Sequence, residues 1–357
     1  MKYKQVLIYY FSGTGNAKNA AKWIAETADE SGIESKLINI EHCKPIEIQK
    51  EKCKILVGFC TPTHGFNVPP IMLKFISQFP KIKNADAFIL NTRGGLKLHK
   101  LFLPGLSGIA QLLPAIMLRI KGFRIVGMQP LDLPSNWIIL HPGLRKKVVS
   151  SIYDRCYKIV RIFAGQLING KRKYKALLSL PFDLPLIPIA VGYYLVGRFI
   201  LAKTLFANNA CDNCNACIKQ CPVNAIKATS NLPFWTYKCE SCMRCINKCP
   251  QRAIQTAHGY VVLVLIAFYT FLIPFILTIM KEYNIEIENQ SELLAYAFSI
   301  VKTIIFLLLM FASYWLVHRI MKSRIVNWVI TYSSLSKFKF WRRYKSPRKM
   351  ENINTIE

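Results

Sequence analysis

The chain has 357 residues, a formal net charge of +29 and 52% hydrophobic residues. That length admits two domains with buried cores and something more, and the apolar surplus assigns the extra part to a membrane. The charge accompanies no helix-turn-helix, zinc-finger or RNA-binding signature, which excludes nucleic acid and leaves an anionic membrane surface. Of twelve cysteines, eight sit in two tight runs. This excludes a small secreted disulfide framework and reads as metal ligands in a reducing compartment. The scattered Cys43, Cys53, Cys60 and Cys156 read as buried thiols.

In chain order, residues 4–10 are a short run of strand formers that feeds into Ser12-Gly13-Thr14-Gly15-Asn16 and then a helical stretch, Ala17–Asp29. No small-residue cleavage site follows, so the run is a first strand rather than a signal peptide. Residues 35–40, Lys54–Cys60, Ala85–Leu90 and Phe123–Met128 read as further strands. Pro69–Phe79 and Leu144–Leu167 read as helices. Alternating strands and helices predict an α/β domain over 1–168, with a parallel sheet covered on both faces. Within it, residues 96–122 are an insertion. Its apolar core, Leu101–Ile120, is broken by Pro104, Gly105, Gly108 and Pro114 and suits either a packed helical insertion or a flap over a membrane or substrate.

Residues 169–207 open with Lys171-Arg172-Lys173 and turn apolar, with Pro181, Pro185 and Pro188 inside. A single crossing there would separate the N-terminal domain from the cysteine runs, so an interfacial anchor or linker is expected. Within 258–318, Tyr260–Met280 carries no charge over twenty-one residues and is long enough for the hydrocarbon core. Pro274 would kink it. Leu293–Val317 is a second span, with Lys302 snorkelling. The loop Lys281–Glu292 holds four Glu and one Lys, whereas Arg319–Lys349 holds ten Lys or Arg and no acid. The positive-inside rule then predicts a hairpin in a bacterial-type inner membrane, with the tail 319–357 and the N-terminal domains facing the cytoplasm.

Each cysteine run reads C-x2-C-x2-C-x3-C-P: Cys211, Cys214, Cys217, Cys221 and Pro222, then Cys239, Cys242, Cys245, Cys249 and Pro250. Three thiolates on one short loop grip three corners of a cubane, and the fourth, past a turn, reaches the partner cluster. Cys211, Cys214, Cys217 and Cys249 are therefore expected to hold one [4Fe–4S] cluster, and Cys239, Cys242, Cys245 and Cys221 the other. A zinc site would use four ligands in two separated pairs. The runs also repeat at an offset, with Ile218 matching Ile246 and Ala225 matching Ala253. Residues 208–257 resemble the dicluster ferredoxins of bacteria. Clusters with every iron saturated by cysteine carry single electrons and leave no coordination site for a substrate.

Backbone N–H groups at a helix N-terminus, beside Ser and Thr hydroxyls, suit a phosphate dianion, and Ser12, Gly13, Thr14, Gly15 and Asn16 supply that arrangement. Two further loops are expected at the same carboxyl edge of the sheet: Thr61, Pro62, Thr63, His64, Gly65 and Phe66, and Asn91, Thr92, Arg93, Gly94 and Gly95. This set of loops resembles flavodoxin. The resemblance implies strand order 2-1-3-4-5, FMN phosphate on the first loop and the flavin ring between the other two. Aromatic partners for the ring are few, His64 and Phe66 in the second loop, with Trp137 a further candidate.

Together the two modules resemble the flavodoxin–ferredoxin fusion family, to which the hairpin and basic tail are an addition. The expected function is a membrane-anchored electron carrier using FMN and two [4Fe–4S] clusters, with membrane lipid and a redox protein or quinone as partners. An FMN-dependent oxidoreductase acting on a quinone, porphyrinogen or other lipophilic substrate is the alternative, with His64 and Arg93 as its first substrate contacts. A redox sensor ranks last, because no output domain follows the second span.

Overall fold

The computed structural model describes residues 2–43, 55–82, 85–229, 232–282, 292–344 and 346–347. Cys53 and most of the acidic loop lie outside the described residues, as do the last residues of the basic tail. The chain divides into two compact units. The first gathers Met1–Arg198, Glu240–Lys248 and Arg342–Glu357, and the second gathers Phe199–Cys239 and Cys249–Trp341.

The first unit is built on β1 (Gln5–Tyr10), α1 (Asn16–Glu30), β2 (Glu34–Asn39), β3 (Ile55–Pro62), α2 (Pro70–Gln78), β4 (Asp86–Leu98), β5 (Leu101–Leu103), α3 (Leu112–Ile120), β6 (Arg124–Pro134), α4 (Lys146–Ile168) and β7 (Lys173–Tyr174). The sheet order is β2-β1-β3-β4-β6-β7, with β5 hairpinned onto β4. The neighbours along that path run parallel. Apart from the hairpin strand and the added edge strand β7, this is the expected 2-1-3-4-5 arrangement. β1 and β3 are largely apolar because both faces are covered. Trp23 and Ile24 of α1 and Phe163 of α4 fill one side, and Met72 and Phe75 of α2 and Leu118 of α3 fill the other.

At the amino edge, Asp86 is buried. Tyr3 Oη donates to it at 2.5 Å, and Lys2 and Arg124 pair with it at 2.8 and 2.5 Å. Burial pushes this carboxyl up, but the three partners outweigh it and hold the pKa at about 2.

β4 and β6 run longer than expected and stay paired as far as Gly95 and Pro134. Asn91–Gly95 are therefore strand rather than loop. The glycine pair marks close approach and not a turn: a Cβ on Gly95 would fall 2.6 Å from the Asp132 carbonyl oxygen. The insertion resolves into a hairpin with exposed Leu96, Leu98 and Leu101, followed by α3, which packs on the sheet through Ala115 and Leu118.

Three helical runs are long and apolar enough to cross a membrane: Lys175–Ala202, His258–Glu282 and Leu294–Ile320. The first was expected as an interfacial anchor or linker. Its prolines do not stop it. Each of Pro181, Pro185 and Pro188 stands in the first turn of a new short segment, where the missing N–H costs nothing. In the second run a π segment, Ala267–Leu272, precedes Pro274 and absorbs the disturbed ladder.

In the second unit, Leu205–Ala207 pairs antiparallel with Ile254–Thr256, and Ile226–Thr229 with Leu232–Trp235. Tyr260, Val264, Met310 and Tyr314 of the two long helices share a core with Phe206. Tyr314 Oη donates to the Leu205 carbonyl at 3.0 Å. Lys203 is buried, donates to the Trp235 carbonyl at 2.5 Å, and lies within 4.6 to 5.5 Å of the rings of Phe234, Tyr314, Tyr237 and Phe311.

Candidate functional site: a flavin cavity and a four-cysteine pocket

The carboxyl edge of the sheet in the first unit encloses a cavity of about 310 Å³. Four chain segments line it. From the first expected loop come Ser12, Gly13, Thr14 and Asn16; from the second, Pro62, Thr63, Gly65 and Phe66; from β4, Thr92, Arg93 and Gly94. The fourth segment, Pro134–Trp137 with Leu140, follows β6 and was not expected, apart from Trp137. Leu106, from the insertion, completes the wall.

The first loop is shaped by its glycines and by polar clips. Gly15 caps α1 with φ 116°, and its N–H is held by Ser12 Oγ at 3.0 Å. Asn136 donates to Thr14 Oγ1 at 2.8 Å, and Asn16 Nδ2 donates to the Pro134 carbonyl at 2.8 Å. Asn16 Oδ1 also receives Tyr153 Oη at 2.6 Å and the hydroxyl of Tyr344, from the C-terminal tail. Asn16 thus joins the loop to β6, α4 and the tail.

Five expected residues stand behind the lining. Gly15 and Gly95 contribute backbone conformation, and Thr61 is buried within β3. Asn91 is fully buried and donates to Thr63 Oγ1 at 2.6 Å and to Ser107 Oγ at 3.1 Å. His64 is 1% exposed and does not line the cavity. Burial holds its imidazole down to about pKa 4, with the Glu240 backbone opposing. Arg93 lines the cavity but pairs with Asp132 at 2.7 Å. That removes the simple picture of both residues as free substrate contacts.

The lining fits FMN. The α1 N-terminus with Ser12 and Thr14 suits the phosphate. Phe66 and Trp137 bring aromatic surface, and the buried Trp137 Nε1–H has no hydrogen-bond partner among the described residues. His64 cannot serve as the ring's second aromatic neighbour.

One unexpected feature is the segment Glu240–Lys248, which carries Cys242 and Cys245 and belongs to the same unit. A Cβ on Gly13 would fall 2.2 Å from the Cys242 carbonyl oxygen, so only glycine admits this segment. Arg244 donates to the carbonyls of Ser12 (2.8 Å) and Gly13 (3.0 Å) and forms a buried pair with Glu41 at 2.5 Å. Asn247 donates to the Asn136 carbonyl at 3.1 Å. Glu240 accepts from the Ile71 N–H at 3.2 Å. Burial raises its carboxyl to about pKa 7, against that N–H and the charge of Arg198.

In the second unit, Cys211, Cys214, Cys217 and Cys249 line one pocket with Pro250, Asp212 and Asn215. Cys221 is not among its walls. Burial raises the Cys217 thiol to about pKa 11, and the neighbouring Cys211 and Cys249 add to the shift. Among the described residues no three His, Cys, Asp or Glu side chains converge tightly enough for a single metal ion. A cubane spreads its thiolates over four iron corners. Of the second set, Cys221 and Cys239 belong to the second unit, and Cys242 and Cys245 to the first.

The flavodoxin family model matches residues 8–101, and the 4Fe-4S binding domain model matches residues 206–227. The chain therefore carries a flavodoxin-type segment followed by a 4Fe-4S binding segment. Its fold is similar to the flavodoxin of Streptococcus pneumonia TIGR4, at 12% identity and TM-score 0.34, covering 46% of this chain and 99% of that one. It is also similar to a flavodoxin from the domain Archaea, at 16% and 0.30, covering 45% and 97%. Flavodoxin 1 from Bacillus cereus is a third, at 18% and 0.31, covering 45% and 97%. No curated protein matches the sequence. The flavodoxin domain implies FMN and the 4Fe-4S domain implies iron–sulfur clusters, so the chain has an electron-transfer role.

Proposed function

We propose that this chain is a membrane-anchored electron relay, in which FMN in the cavity and two [4Fe–4S] clusters connect a redox protein or quinone to a second redox partner. FMN supplies exchange of one or two electrons, and the clusters exchange electrons singly. The observation that carries this reading is the seating of Glu240–Lys248 on the rim of the cavity, through Gly13, Arg244 and Asn247. A segment bearing two cluster cysteines is thereby built into the wall of the flavin domain.

The residues have separate tasks in this reading. Ser12–Asn16 hold the phosphate, and Pro62, Thr63, Gly65, Phe66, Thr92–Gly94 and Trp137 border the ring. Cys211, Cys214, Cys217 and Cys249 hold one cluster, and Cys239, Cys242, Cys245 and Cys221 the other. Arg244 keeps the second cysteine run against the phosphate loop.

His258–Glu282 and Leu294–Ile320 form a two-crossing hairpin, and the basic tail marks the cytoplasmic face of an inner membrane. The return of the tail supports an even number of crossings after the second run. Arg342 accepts the Gly143 N–H at 2.8 Å, and Tyr344 reaches Asn16 in the first unit. The reading is tested by stopped-flow reduction of purified protein in detergent. Flavin and cluster absorbance should change in sequence within one chain, independently of protein concentration; a second-order dependence would contradict a built-in relay.

An oxidoreductase acting on a lipophilic substrate is the second reading. Leu106 and Leu140 favour it, since they line the cavity while 41% and 59% exposed. Quinone turnover by purified protein separates the two.

A further inference from the structure

We infer that Lys175–Ala202 does not cross the membrane but lies in its plane, with its outward face at the acyl–headgroup boundary of an anionic bilayer. This rests on the membrane reading above and concerns the one apolar run whose role that reading leaves open.

The inward face is a stripe at roughly helical spacing. Ala176 joins the core under the sheet. Asp183 is buried, and its Oδ1 accepts the N–H groups of Ser107 at 2.8 Å and Gly108 at 2.9 Å, while Ser179 donates to its Oδ2 at 2.7 Å. Ala190 is fully buried. Tyr193 lies against Gly65, where a Cβ would fall 2.0 Å from its ring, and 5.4 Å from the ring of Trp137. From Ala176 to Tyr193 the helical run therefore lies along the flavodoxin domain, over about 25 Å if it rises as an α-helix. A carboxylate midway through a spanning helix is costly. Here it is consumed by backbone donors of the soluble domain.

The outward face is apolar and open. Leu178 and Phe182 are 77% and 69% exposed, and Leu177, Leu184 and Ile189 are exposed with them. Between Lys175 and Arg198 the only charged residue is Asp183, which is turned inward. At the entry, Lys171, Arg172, Lys173 and Lys175 are exposed, and their charges suit anionic headgroups. An apolar face beside a basic cluster, in a chain with two other membrane-length helices, fits a lipid surface as its occupant.

Chain connectivity makes the same point independently. Residues before the run and residues 240–248 after it form one compact unit, joined by Arg244 to Ser12, Gly13 and Glu41. One crossing between them would put these partners on opposite sides of the bilayer. Because Gly65 and Trp137 both touch Tyr193 and line the cavity, the anchor also backs a wall of the flavin site.

The test uses the full chain in vesicles of equal phosphatidylglycerol and phosphatidylcholine. A nitroxide-bearing residue replaces Leu178, Phe182 or Ile189 in turn, and depth is read from power saturation with oxygen and a water-soluble nickel chelate. Flavin content confirms that each variant is folded. The in-plane arrangement predicts three equal, shallow depths. A depth difference of about 16 Å between 178 and 189 would mean a crossing and overturn the inference. Labels exposed to water on vesicle-bound protein would overturn it while leaving the hairpin intact. Failure of the whole chain to float with vesicles would remove the membrane reading as well.

Discussion

Gly13 and Arg244 act as a pair. The missing side chain at Gly13 lets the Cys242 backbone close onto the phosphate loop, and Arg244 ties that contact to Ser12, Gly13 and Glu41. Arg244→Ala leaves Glu41 buried without its partner. It should cost about 3 kcal/mol, read as a lower denaturation midpoint of the flavin domain. Arg244→Lys should recover only part of this, because a lysine cannot keep the forked geometry. Asp86 gives a pH dependence. Its folded pKa of about 2 lies below the usual carboxylate value. Its contribution is therefore complete above about pH 4 and is lost as pH falls through about 2, an acid loss on the order of 2 kcal/mol. Asp86→Asn should remove that step from a plot of stability against pH. The glycine-rich loop was legible because a strand, a Gly-containing turn and a helix follow each other within a few residues. Its partner Arg244 was not, since the contact spans more than two hundred residues and a lone arginine between cysteines carries no signal.

The cysteine runs show how spacing can reach across a fold. The C-x3-C-P ending implies that the fourth thiolate leaves its own run, and Cys249 lines a pocket with Cys211, Cys214 and Cys217. Cys249→Ser should abolish the cluster of the first run, whereas Cys221→Ser should spare it, as read by EPR of each variant. Strand ends were less legible. Gly94-Gly95 reads as a loop in sequence, yet it sits in β4 because β6 approaches closely there. The segment after β6 offered only Trp137 as a clue, although Pro134, Ser135 and Asn136 also line the cavity. Residues 169–207 read as an interfacial anchor or linker because a single crossing there would separate the N-terminal domain from the cysteine runs. In the fold Pro181, Pro185 and Pro188 start successive turns of one continuous run.

At the scale of the molecule, the flavodoxin domain, Glu240–Lys248 and the start of the C-terminal tail share one unit, with two membrane-length helices between the last two. Tags at the two ends should accordingly share one side in sealed vesicles, as read by protease accessibility; opposite sides would mean an odd number of crossings. The proposed relay requires FMN and two [4Fe–4S] clusters in one chain. Its most direct test is anaerobic purification of the full chain in detergent, with flavin, iron and sulfide counts and a redox titration followed by EPR. FMN in equal proportion to protein, about eight irons per chain and reduced-cluster signals that appear during the titration are expected. Protein without flavin, or with iron for one cluster or none, would contradict the relay.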